Sequence, residues 1–85
     1  MQRFGMRIIG TIATPPERAE VQEQEHECVP RWRFALGVGD GVTQIPCMTG
    51  VLYAGTPPKV ESYVAVHGYY IQSQFFNVEQ ISAPS

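Results

Sequence analysis

Ser62–Gln74 reads S-Y-V-A-V-H-G-Y-Y-I-Q-S-Q. Val64 and Val66 alternate with Tyr63, Ala65 and His67, and after Gly68 the run resumes as Tyr69-Tyr70-Ile71. A period of two in β-branched and aromatic residues predicts a long strand. A glycine inside such a strand marks a bend or a close backbone approach. Small closed barrels need that kind of corner, because their strands coil strongly to shut the sheet. The rest of the chain must then supply this strand's neighbours.

It does so on both sides. Met6–Ala13 (M-R-I-I-G-T-I-A) predicts a first strand, with Met6, Ile8, Gly10 and Ile12 on one face, ended by Pro15-Pro16. Glu17–Pro30 is glutamate-rich and lacks an apolar stripe, so it predicts an exposed hairpin or loop. Arg31–Val38 (R-W-R-F-A-L-G-V) alternates most clearly: Trp32, Phe34, Leu36 and Val38 face one way, Arg31, Arg33, Ala35 and Gly37 the other. Gly39-Asp40-Gly41 is a hairpin signal, since these residues reach positive φ cheaply. Val42–Val51 returns as a third strand, in which Pro46 predicts an edge or bulged position. Leu52–Glu61 is a turn-rich connection, Gln72-Ser73-Gln74 a tight turn, and Phe75–Ile81 a fifth strand pairing back on the fourth. Five strands with these two hairpins predict an all-β, five-stranded OB-fold-like Greek-key barrel over residues 1–85, with a small SH3-like barrel as the nearest competitor.

Composition narrows the classes further. A chain of 85 residues holds one domain, and its 44% apolar content is ordinary for a globular one. No apolar run approaches the roughly 18 residues that span a bilayer. No basic stretch leads into an apolar one at the N-terminus, so the expectation is no secretory signal and a cytoplasmic protein. Cys28 and Cys47 form no C-x-x-C pair and predict free thiols in a reducing compartment. His26, Cys28, Cys47 and His67 match no standard zinc spacing, so neither a metal nor another cofactor is expected. Gly37–Gly41 lacks the lysine and helix of a phosphate loop. No serine–histidine–acid set or close carboxylate pair points to an enzyme.

Several segments resemble a known family. Arg7–Ile12 (R-I-I-G-T-I) looks like the opening strand of bacterial single-stranded-DNA-binding proteins and their relative, the primosomal replication protein N. Trp32–Leu36 (W-R-F-A-L) looks like their second strand, and Gln44–Gly50 (Q-I-P-C-M-T-G) resembles the third strand of the primosomal protein. Tyr63–Tyr70 (Y-V-A-V-H-G-Y-Y) resembles the family's fourth strand, and Val78–Ile81 (V-E-Q-I) its closing strand. The resemblance implies an OB fold, self-association, and binding of single-stranded nucleic acid in replication or recombination. The turn at Gln72–Gln74 is shorter than the family's long hairpin, and the first loop is acidic. Both departures fit a small phage- or plasmid-encoded relative reduced to the barrel.

Single-strand binding without sequence preference needs cations for phosphates and flat rings for bases. Five of the eight acids (Glu17, Glu20, Glu23, Glu25, Glu27) lie in the first loop with one base, Arg18. The remainder carries Arg3, Arg7, Arg31, Arg33 and Lys59 against Asp40, Glu61 and Glu79, so the barrel body is mildly basic. If Trp32 and Phe34 are core, Arg31 and Arg33 stand outside, on the strand that OB folds use for binding. The candidate phosphate contacts are therefore Arg31, Arg33 and Lys59, and the candidate stacking rings are Tyr53, Tyr63, Tyr69 and Phe75. The doubled aromatics Tyr69-Tyr70 and Phe75-Phe76 put at least one ring of each pair outside, unless a bulge intervenes. Two functions compete. One is a single-stranded-DNA (or RNA) binder, dimeric and working beside other replication proteins. The other is a protein-interaction module in which the same rings form an interface and the acidic loop docks a partner. The net charge of −2 favours the second.

Overall fold

The computed structural model describes residues 5–19, 31–39, 42–50, 53, 55–72 and 74–84. They form six strands: β1 (Met6–Ile12), β2 (Glu17–Ala19), β3 (Arg31–Val38), β4 (Thr43–Thr49), β5 (Tyr63–Ile71) and β6 (Phe75–Ser82). Five of them close a ring. β1 pairs antiparallel with β5, β5 with β6, and β3 with β4. β4 runs parallel to β6, and β3 returns to β1 through Thr11↔Gly37 and Ile12↔Leu36. A three-strand meander whose fourth strand returns to the first and whose fifth closes in parallel on the third is the OB-type Greek key.

The sixth strand lies inside the segment expected to be a hairpin or loop. β2 pairs antiparallel with Arg31–Arg33 and so extends the barrel wall beyond β1. The other expected strands keep their places: β1 stops one residue short of Ala13, β4 and β5 are trimmed at their ends, and β6 runs one residue past Ile81, while Val51 lies outside the described residues. Asp40, Gly41 and residues 20–30 lie outside the described residues, while Gly39 takes the expected positive φ of 62°. Gln74 N–H donates to the Ile71 carbonyl (2.8 Å), closing the tight turn.

The inward faces follow the alternation. Ile12, Leu36, Val66, Phe76 and Val78 are fully buried and, with Phe34 and Cys47, form one cluster. Ile8, Val38, Ile45, Val64 and Ile81 pack around it. Burying each large apolar side chain contributes about 1.5–3 kcal/mol, so this cluster is a principal source of the fold's stability. Among the described residues two polar side chains are buried, Thr49 on the inward face and Asn77 on the outward one. Thr49 is wholly buried and accepts the Trp32 amide proton on its hydroxyl (2.8 Å), and Asn77 is 6% exposed.

Gly68 sits where β5 and β6 approach closely. His67 faces Gln80 while Gly68 faces Val78, so Glu79 is an extra residue and β6 carries the bulge. A side chain at Gly68 would overlap the Asn77 backbone carbonyl, and one at Gly10 would overlap that of Gly37. These two glycines let the sheet close. Pro46 is explained by the ladder. The Ala35 carbonyl accepts from Ala13 N–H (2.8 Å) and its N–H donates to Thr14 Oγ1 (2.9 Å), so Ala35 points its amide groups away from β4. The opposing Pro46 therefore occupies a non-hydrogen-bonded position, and β6 pairs with β4 only from Cys47 onward. The proline costs no sheet bond there.

Candidate functional site

Arg33 stands on the outer face of β3, because its neighbour Phe34 turns into the core. Cross-strand partners share a face, so register extends that face. Arg33 lies opposite Met48, Met48 opposite Asn77, and Asn77 opposite Tyr69. This row crosses β3, β4, β6 and β5, roughly 14 Å at the usual strand spacing. Arg31 shares the face and is half-buried. β3 and β4 are the second and third strands of the barrel, the face that OB folds present to oligonucleotides.

Glu17 of β2 approaches the same arginine. One of its carboxylate oxygens lies 3.3 Å from an Arg33 terminal nitrogen, with the two side chains 59% (Arg33) and 72% (Glu17) exposed. So exposed a pair is worth under about 1 kcal/mol, and an incoming phosphate can displace it. The acidic stretch Glu20, Glu23, Glu25 and Glu27 lies outside the described residues.

The remaining predicted residues do not gather at Arg33. Lys59 is exposed in the β4–β5 connection, where its carbonyl accepts from Ser62 N–H (3.2 Å). Tyr53 belongs to the same connection. Its hydroxyl donates to the Thr56 carbonyl, and its ring covers Gly55 so closely that a side chain there would strike the phenol. Burial raises the Tyr53 phenol pKa above its ordinary value. Tyr69 is half-buried on the outer face, and Phe75, also half-buried, opposes Ile71 at the β5–β6 turn. Tyr63 is 63% exposed and falls in a different row, with Thr11, Gly37 and Gln44. Of the doubled aromatics, Phe76 is buried and Tyr70 stacks edge-on against it (centroids 5.2 Å, 81°) while remaining 44% exposed.

Of the four candidate metal ligands, the two described ones, Cys47 and His67, lie on opposite faces of the barrel wall. Cys47 lies in the core with its thiol donating to the Ile45 carbonyl (3.4 Å), and burial pushes its pKa up to about 12. His67 lies on the outer face, where Nε2 meets Ser82 Oγ at 3.2 Å. Among the described residues no three His, Cys, Asp or Glu side chains come together, and His26 and Cys28 lie outside them. Among the described residues, too, no helix is long and apolar enough to cross a membrane.

Sequence reasoning missed Asn77 and Thr49. Asn77 fills the space beside Gly50, where a side chain would meet its Oδ1 at 2.6 Å and Nδ2 at 2.9 Å. The asparagine within F-F-N-V could have flagged it; Thr49 had no local signal, because its bonding partner is Trp32, 17 positions away.

No family model, curated protein or solved structure matches the chain. The likeness of its strands to single-stranded-DNA-binding proteins therefore stands on the quoted residues alone.

Proposed function

We propose that this protein binds single-stranded nucleic acid, DNA in the first place, and catalyses no reaction. The observation that carries the reading is the exposed Arg33 on the β3–β4 face of an OB-type barrel. Arg31, Arg33 and Lys59 meet phosphate, and Tyr63, Tyr69 and Phe75 offer rings to bases. Tyr53 contributes chiefly by holding the β4–β5 connection. A homodimer acting in replication or recombination accords with the family resemblance. Competition tests the reading: unlabelled oligo-dT should displace a labelled copy, and a duplex of equal length should not. Equal displacement by duplex would sink the single-strand preference.

Two observations favour a protein-interaction module instead. Val42 (81%) and Tyr63 (63%) are unusually exposed for their types, and Glu17 partly neutralises Arg33. Under that reading Tyr69→Ala splits the oligomer in sedimentation velocity, and oligonucleotides do not bind.

A further inference from the structure

The Tyr63 row contains a groove. Ile9, Gly10, Thr11, Ala13, Gly37, Gly39 and Tyr63 line a depression of about 430 Å³ where β1 crosses β3. None of these seven residues is charged. The floor is low because Gly37 is buried and bare, and Tyr63 stands exposed at one side. Thr11 supplies a hydroxyl between them, since register places it opposite both Tyr63 and Gly37. The volume lies in the range of small-molecule pockets. Farther along β1, Arg7 is exposed on the same outer face as Ile9 and Thr11, opposite His67.

We infer that this groove is a second contact for the strand, separate from the Arg33 face, and that it holds one unpaired base. The base stacks on Tyr63 above the glycine floor, Thr11 meets its polar edge, and Arg7 takes a neighbouring phosphate. An uncharged, ring-walled groove next to an exposed cation suits a nucleotide in both halves: the base is planar and neutral, the phosphate anionic. The inference rests on the proposed function and adds to it a base subsite, with Thr11, Gly37 and Arg7 as new participants.

The test has five arms. An oligo-dT carrying one 5-iodouracil should crosslink to Tyr63 on irradiation, as read by peptide mass spectrometry. Tyr63→Ala should weaken oligo-dT binding about tenfold and Tyr63→Phe should not, as expected for stacking. Gly37→Val should weaken it comparably by filling the floor. A Cβ at Gly37 meets nothing closer than the Thr11 carbonyl at 3.7 Å and the Ala13 methyl at 3.8 Å, so the fold tolerates a methyl there. Circular dichroism checks the valine. Arg7→Gln should lower the log–log salt slope by roughly 0.7, one single-strand phosphate. Titration with thymidine alone should shift the amide resonances of Thr11, Gly37 and Gly39. If oligo-dT binds but Tyr63→Ala leaves its affinity unchanged and crosslinks fall elsewhere, the subsite is overturned and the broader function stands. If thymidine shifts these amides but no oligonucleotide binds, the groove takes free bases, and both the strand contact and the proposed function fail.

Discussion

At Gly68 the β5–β6 ladder changes register, and the Asn77 carbonyl fills the space a side chain would need. At Gly37, where β1 crosses β3, the nearest atoms to an added Cβ stand at 3.7 and 3.8 Å. The residue type is the same and the consequences are opposite. Around Gly68 the backbone is crowded because the barrel must shut. Around Gly37 the missing side chain leaves a surface depression that the fold does not need. Absence of a side chain is structural in the first region and leaves open space in the second.

Substitution separates the two most sharply. Gly68→Ala should cost about 3 kcal/mol or more, since two backbones must part, and thermal unfolding reads this as a large drop in Tm. Gly37→Ala should change stability by under about 0.5 kcal/mol in the same assay. Similar losses at both sites would break the contrast.

A smaller effect belongs to the outer face. Arg33→Glu should weaken oligo-dT binding about tenfold, roughly 1.4 kcal/mol, while sedimentation shows the oligomer unchanged. An unchanged affinity would remove Arg33 from the interface.

Inside the barrel, Cys47 supplies a pH test. Burial raises its thiol pKa from 9.0 to about 12, so the folded state holds the proton that the unfolded state gives up. Its contribution is whole below pH 9.0 and is lost as pH rises toward about 12. Urea midpoints of the wild type should therefore fall over that window, and Cys47→Ala, although less stable at neutral pH, should fall less steeply. Parallel curves would contradict the burial argument.

The smallest effect lies in the β5–β6 turn. Gln72 holds a φ of 48°, a region asparagine tolerates better than glutamine. Gln72→Asn should raise stability by some tenths of a kcal/mol, and a loss would show that the glutamine side chain has another role there.

Much of this fold was legible because alternation is local. Arg31–Val38 announced both its strand and its faces, and Gly68 announced a close approach inside its own run. What stayed hidden depends on chain-distant partners. β2 is three residues long with no apolar alternation, and it exists only because Arg31–Arg33 offers it an edge. The bulge at Glu79 has no signature in V-E-Q-I. The outward position of Arg33 followed from the pattern, but its carboxylate neighbour came from β2. Tyr63 could be read as an outward ring, whereas its groove is assembled from β1, β3 and the β3–β4 hairpin, which no single stretch reveals.

The most direct test of the central claim is fluorescence anisotropy of labelled oligo-dT titrated with the protein at low and moderate salt. The account predicts saturable binding that weakens as salt rises, with a log–log slope reporting the phosphates contacted. No binding at about 50 μM protein in low salt, where even non-specific binders associate, would contradict it.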